Sequence, residues 1–518
     1  MMKKTCILLL LLIPFLLLAQ ETQEESKAKA EFGFNGNAGY LTTGTITYSQ
    51  IRLLPEFEFG KFGIGLDIDL LLTSDLSIRK ADWDETEDIL GKLLYLRYGE
   101  RYDPFYLKAG AFSGYTLGYG LIMNAYDNRL LYPEQKNIGA AAGFNLNFPF
   151  QPGIEVFTSN LLKNEILAAQ AFLKPFPQSL SPTLSGLVIG AAAAIDRNQY
   201  GRFEDKDKDL IPDVLDPNPR LRNYRYDLDG DGLTNSELPD ANGQYQTNDP
   251  DLDGDGILDS PDLNSYVSDN LELLDPDLNS LLDNEIKPLK RYGEENDLSI
   301  VGVNFSLPLI ETSSFLLDAY GEAAKINGYG SGYSFPGFAS SFLMFDLNLE
   351  LRQFSDRFVA GYFDYLYDEQ RSSVVGDTLI MTKDKTLDDT KAALGWFGSL
   401  QAEIGKLVIA KASFQDMYND TSSKGKSLGV SLSLIQGGIG RFKDAALNYN
   451  LTNVPSISFS KLQSPTANLS CMLSYGLSDR AVLTGKYKER YIDLNGDGKI
   501  QGKDEIIKSM SLLVEFRL

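Results

Sequence analysis

The chain has 518 residues, 71 acidic against 48 basic side chains, a formal charge of −23 and no histidine. The missing imidazole excludes Ser-His-Asp and Cys-His catalysis and leaves a zinc enzyme without a usual ligand, so no enzyme is expected. The excess of carboxylates repels nucleic acid and suits cations.

In chain order, Lys3 and Lys4 precede an apolar run from Cys6 to Leu18, followed by Ala19 and Gln20. This predicts a secretory signal peptide over 1–19. The run is too short for a membrane-crossing helix, which needs about 20 apolar residues. Removal of the leader takes Cys6 with it and leaves Cys471 alone, so no internal disulfide is expected.

Residues 20–200 then alternate with a period of two. In KFGIGLDIDLLL, Phe62, Ile64, Leu66, Ile68, Leu70 and Leu72 fall on one face, and Gly63, Gly65, Asp67 and Asp69 on the other. That spacing predicts a strand with one apolar and one polar side. Strands are expected at 31–40, 46–59, 61–74, 91–100, 103–112, 137–147, 153–160, 166–176 and 184–196. The long link at 113–136, glycine-rich and apolar, either folds into an interior or packs outside against its neighbours.

Residues 201–295 break the pattern, with 25 acidic against 9 basic side chains. The hexapeptide DLDGDG occurs at 227–232 and again at 251–256. An EF-hand-type loop places oxygen ligands at positions 1, 3, 5, 9 and 12, uses the carbonyl at 7 and needs glycine at 6 for its turn. From Asp251 every position is filled: Asp251, Asp253, Asp255, Asp259 and Asp262, with Gly256 at the turn. From Asp205 the ligands are Asp205, Asp207, Asp209, Asp213 and Asp216, with Leu210 in the glycine position. From Asp227 they are Asp227, Asp229, Asp231 and Asn235, and Glu237 serves in place of Leu238. Hard oxygen donors of this kind select Ca²⁺ over transition metals. Composition alone would also suit a disordered acidic linker.

From 296 to 518 the alternation returns. Strands are expected at 297–309, 314–326, 340–353, 357–368, 390–403, 406–417, 426–436, 441–450, 467–476, 480–491 and 508–518. Asp346, Glu350 and Arg352, and again Lys486, Lys488 and Arg490, share the polar faces of their strands and either line a pore or pair across a filled interior. Between the last two strands, Asp493, Asn495, Asp497, Gln501 and Asp504, with Gly498 at the turn, form one further calcium-type loop over 493–504.

Most of these strands run 9–14 residues, longer than the usual soluble strand of about 5–6 and suited to tilted membrane crossing. Tight links at Gly60, 101–102, 148–152, 310–313, 354–356, 404–405 and 477–479 alternate with long ones at 75–90, 113–136, 369–389 and 451–466. This asymmetry, with the closing alternation Met510, Leu512, Val514, Phe516 and Leu518, resembles bacterial outer-membrane β-barrel proteins of the porin kind. The resemblance implies an all-β fold: a transmembrane antiparallel barrel of about 18–20 strands, embedded in outer-membrane lipid, with short periplasmic turns and long outer loops. Eleven strands after residue 295 then put the acidic insert and the 493–504 loop on the outer side.

The tandem loops with their Asp-Pro and Asn-Pro punctuation resemble thrombospondin type 3 repeats over roughly 203–285, which implies a Ca²⁺-wrapped insert with little core. The expected function is a channel for small solutes. The alternative is a surface protein whose barrel anchors a calcium-binding module for a partner. Equilibrium dialysis of the folded chain should show saturable Ca²⁺ uptake at about 10⁻⁴–10⁻³ M. Asp255→Asn and Asp497→Asn should each remove one bound ion.

Overall fold

The computed structural model describes residues 31–203 and 297–517, apart from 44–45, 74, 80–81, 84–85, 132–134, 178, 376–378, 419–424, 436–437, 458–462, 479–480, 492–499 and 501–504. The expected signal peptide, residues 204–295 of the acidic insert and every calcium-ligand candidate, from Asp205 to Asp262 and from Asp493 to Asp504, therefore lie outside the described residues.

Twenty strands form one antiparallel sheet. They are β1 (Glu31–Thr43), β2 (Ile46–Phe59), β3 in two pieces (Phe62–Leu66 and Ile68–Leu72), β4 (Leu93–Tyr98), β5 (Phe105–Gly110), β6 (Gly139–Asn145) and β7 (Gly153–Thr158). Next come β8 (Ile166–Leu173), β9 (Val188–Asp196), β10 (Leu298–Glu311), β11 (Phe315–Ile326), β12 (Ser331–Phe342) and β13 (Phe345–Phe354). The series ends with β14 (Ala393–Ile404), β15 (Val408–Tyr418), β16 (Lys426–Leu434), β17 (Phe442–Val454), β18 (Ala467–Gly476), β19 (Ala481–Tyr491) and β20 (Ile506–Arg517). Each pairs with its neighbour in sequence, and β1 pairs with β20 from Asn35↔Arg517 to Thr43↔Ser509. The sheet is closed.

Period two decides which side of the wall each residue takes. On β13, Leu347, Leu349 and Leu351 point outward and are 38–52% exposed, whereas Glu350 and Arg352 point inward at 3% and 7%. The outward row repeats on other strands, for example Ile154 and Val156 on β7, Val301 and Val303 on β10, and Met510 and Leu512 on β20. An apolar outside around a polar inside inverts the order of a soluble protein and fits a wall facing lipid. Aromatic contacts gather at one rim: Tyr98–Phe105 and Phe105–Phe144, Phe315–Phe342 and Phe342–Phe345, and Phe442–Tyr475. They occupy the level where interfacial girdles form in membrane barrels.

The two ends are unequal. Links from even to odd strands are mostly short, as at 60–61, 312–314, 343–344 and 405–407, and β1 starts and β20 ends at that rim. Links from odd to even strands include 73–92, 111–138, 197–297, 355–392 and 455–466. The roots of the acidic insert, Asp196 and Leu298, are register partners at this long-loop end.

Two expectations fail in the second half. Residues 331–342 form β12, although Gly332, Ser334, Gly337, Ser340 and Ser341 give no hydrophobic alternation. Pro336 has no N–H for the ladder, and the register shifts between Ser334 and Gly337. Conversely 357–368 is not a strand but part of the long link 355–392, and the tight link expected at 354–356 is instead at 343–344. Its run of aromatics is buried for a different reason, given below. The two errors cancel, so eleven strands still follow the insert. Arginine at the outward position Leu349 should destabilise the folded barrel in lipid by about 2–4 kcal/mol. The same change at the lumen-facing Asn348 should cost far less, which heat-modifiable gel mobility in vesicles would resolve.

Candidate functional site

Links 111–138 and 355–392 both fold into the barrel. Within the first, Tyr115 and Tyr126 exchange backbone hydrogen bonds at 2.9 Å, making a narrow hairpin with its tip at Tyr119–Leu121. The second link lies against it: Gly361 N donates to Leu121 O at 2.8 Å, Phe363 N to Ile122 O at 3.3 Å, and Asn124 N to Phe363 O at 3.0 Å. Backbone groups taken from water need such partners. The two links thus form one luminal body.

Its core is Leu117, Leu121, Ile122, Met123, Tyr126, Phe358, Tyr362, Phe363 and Tyr367, all under 2% exposed. Full burial of such a side chain contributes about 1.5–3 kcal/mol. The facing wall is built from small residues: Ala141 on β6, Ala168 on β8, Ala192 and Ala194 on β9, Gly302 on β10 and Ala324 on β11. At Gly302 a Cβ would sit 3.0 Å from Ile122 Cδ1 and 2.6 Å from a carbonyl, so glycine is what admits the body here. The wall is short at β4 to β7, which have six or seven residues each, and lengthens to fourteen at β10.

Polar anchors fix the body to opposite sides of the barrel. Glu322 on β11 accepts from Tyr119 N at 3.1 Å and Leu121 N at 2.9 Å, and Tyr119 stacks on Tyr320 at 4.3 Å. Glu155 on β7 accepts from Tyr115 Oη at 2.8 Å and pairs with Arg101, which also donates to Thr116 O at 2.9 Å. Across the lumen Arg129 meets Asp67 on β3 at 3.3 Å, Lys488 on β19 donates to Leu130 O at 2.9 Å, and Arg490 pairs with Glu369 at 3.1 Å.

The inward charges expected from the alternation are all lumen-facing, and most are paired. Asp67 also binds Arg52 at 2.6 Å, Asp69 accepts from Gln50 at 2.9 Å, Glu350 pairs with Arg352 at 2.7 Å and Asp346 accepts from Ser341 at 2.6 Å. Glu155, Glu322, Asp196 and Arg371 are anchoring positions of this candidate site that the sequence reading missed. Glu155 and Glu322 carried a usable signal, each falling on the polar face of an alternating strand.

A buried ionic knot holds the second link. Arg371 donates to Asp196 through Nε at 2.9 Å and Nη2 at 2.8 Å, and to Glu165 through Nη1 at 2.8 Å. Tyr367 Oη donates to Asp196 at 2.7 Å, and Tyr126 Oη to Asp368 at 2.8 Å. The knot extends to the root of the acidic insert, because Arg371 also donates to Asn198 O at 2.5 Å and Arg202 to Ser372 O at 2.7 Å. Burial pushes the Asp368 carboxyl up to about 6, against the pull of Arg371.

A carboxyl held above its ordinary value stabilises the fold fully below that value and loses the contribution as pH rises through 6. Thermal stability should therefore fall between about pH 4 and pH 6, and Asp368→Asn should flatten that fall. Arg371→Met leaves buried carboxylates uncompensated and should cost about 3–5 kcal/mol. Hydrogen exchange should register it as lost protection in 197–203 and 355–371, with the barrel strands still protected.

No protein-family model matches the sequence, and no curated protein matches it. Among solved structures the chain is similar to OprD of Pseudomonas aeruginosa, with 8% identity and a TM-score of 0.32 over 96% of this chain and 98% of that one. It is similar to OccK11 (OpdR) of the same organism, with 9% identity and a TM-score of 0.30 over 96% and 99%. A mutant of the Rh. blastica porin gives 8% identity and a TM-score of 0.25 over 95% and 100%. At these scores the likeness carries no argument, and the barrel rests on its own strand pairing.

Proposed function

We propose that the chain is an exported outer-membrane channel for small solutes, in which the luminal body sets the width of the path. One observation carries this reading. The wall opposite the body presents Asn348 on β13, and Ser431, Asn448 and Ser470 in register across β16 to β18, to the lumen, none of them buried, with Asp444 and Lys411 exposed beside them. Small polar groups left accessible inside a closed barrel hold water, not a packed core. The apolar outer face and the aromatic rim support placement in a bilayer.

The long-loop end is the outer side in this reading. The acidic insert rooted there, and the loop at 493–504, bind Ca²⁺ through the carboxylates named above, as structural ions. If the barrel is instead an anchor for that insert, properly inserted protein will carry no current.

Single-channel recording in planar bilayers separates the two. Discrete steps are expected, with conductance rising severalfold when 114–125 is replaced by a short Gly-Ser link. Silence from both proteins, with and without Ca²⁺, would sink the channel reading and leave the anchor.

A further inference from the structure

Strands β11, β12 and β13 set Glu322, Ser334 and Arg352 in one cross-strand row, and Glu350 stands beside Arg352 on the same face. All four are buried, at 4%, 0%, 7% and 3% exposure. Each keeps one polar atom without a hydrogen-bond partner: Glu322 Oε1, Ser334 Oγ, Arg352 Nε and Glu350 Oε2. The rest of their capacity is committed. Glu322 Oε2 holds the hairpin tip, Arg352 Nη2 donates to Glu350 Oε1 at 2.7 Å, and Arg352 Nη1 donates to Gln415 Oε1.

Buried polar atoms are rarely left unpaired, and four together on adjacent strands need an occupant. The group offers three acceptors and one N–H donor. Two carboxylates against one guanidinium also leave it one negative charge in excess. A protonated primary amine supplies three N–H donors and one positive charge. The Arg352 Nε–H then remains for an acceptor on the neighbouring atom of the same solute. The hairpin packs closely over Glu322: Gly118 has φ +55, and a Cβ there would lie 2.4 Å from Glu322 Oε1, so only glycine lets the tip approach this carboxylate.

We propose that Glu322, Ser334, Glu350 and Arg352 form a mid-channel binding site for a small solute carrying a protonated primary amine next to a hydrogen-bond acceptor, as amino alcohols and amino acids do. The site deepens the channel reading, on which it rests, by naming the solute class. The hairpin tip lies against it and shares Glu322, so an arriving amine competes with the tip for that carboxylate.

Calorimetric titration of the full chain, folded in detergent, tests the site without requiring conduction. Protonated ethanolamine is the probe, with tetramethylammonium (a cation without N–H) and potassium as controls. Saturable binding of ethanolamine alone is expected. Glu350→Gln should weaken it about tenfold, as loss of a hydrogen bond to a charged group implies. Ser334→Ala should weaken it about threefold with an unchanged Tm, because its hydroxyl has no partner to lose. If Glu350→Gln fails to fold, the Ser334→Ala result decides.

Absence of saturable binding, equal binding of either control cation, or an unchanged affinity in Ser334→Ala would each overturn the proposal. Binding without single-channel current would overturn the channel reading and keep the site. Current without binding would do the reverse.

Discussion

The pairing of β1 with β20 is the constraint from which the rest follows. A twenty-strand sheet with an open edge would expose a row of unpaired N–H and C=O groups, which lipid cannot satisfy. Register from Asn35↔Arg517 to Thr43↔Ser509 removes that edge. Once the ring is closed, alternation along each strand fixes an inside and an outside for every residue. An even number of strands then returns the chain to the rim where it began. The longest links, 73–92, 111–138, 197–297 and 355–392, are at the other rim, and from there two of them fill the space that closure encloses.

How they fill it is a matter of wall texture. Where alanine and glycine stand inward, as at Ala141, Ala168, Ala192, Ala194, Gly302 and Ala324, two links of apolar and aromatic residues pack against the wall as a core does. Where serine and asparagine stand inward, as at Asn348, Ser431, Asn448 and Ser470, no comparable core forms among the described residues. The carboxylates and arginines between these regions set the position of the body. Buried ion pairs of this kind add little net stability, because desolvation offsets their attraction. A hairpin tip held by Glu322 on one wall and a link held by Arg490 on the other nevertheless have few places to settle.

Most of the wall was legible in the sequence, because a half-buried strand announces itself by period two. Ile46–Phe59 and Ala467–Gly476 coincide with the expected spans 46–59 and 467–476. The failures have one physical source. Period two reports burial on one face and is silent about what does the burying. In 357–368, Phe358, Tyr362, Phe363 and Tyr367 are apolar because another link covers them. In β12 the inward face is Gly332 and Ser334, and the outward Tyr333 and Phe335 alone could not mark a strand interrupted by Pro336. The luminal body was half legible: the composition of 113–136 left its direction open. The inward alanines of GAAAGFN and IGAAAAID, read as room for something, would have decided it. The ionic knot joins residues as far apart as Asp196 and Arg371, and no local pattern records such a meeting.

The separations within the luminal body also set an order of events. Tyr126 meets Asp368 across 242 positions of sequence and Leu121 meets Glu322 across 201. The surfaces that receive them are contributed by β5 to β13 together with β19. Contacts of such range form late, since each closes a long loop. The body has no finished surface to settle on until those strands are in place. The barrel therefore passes through a stage in which its wall is built and its interior is open, wider than in the finished protein. Its interior is narrowed last, by segments that pack against the inner face of the wall.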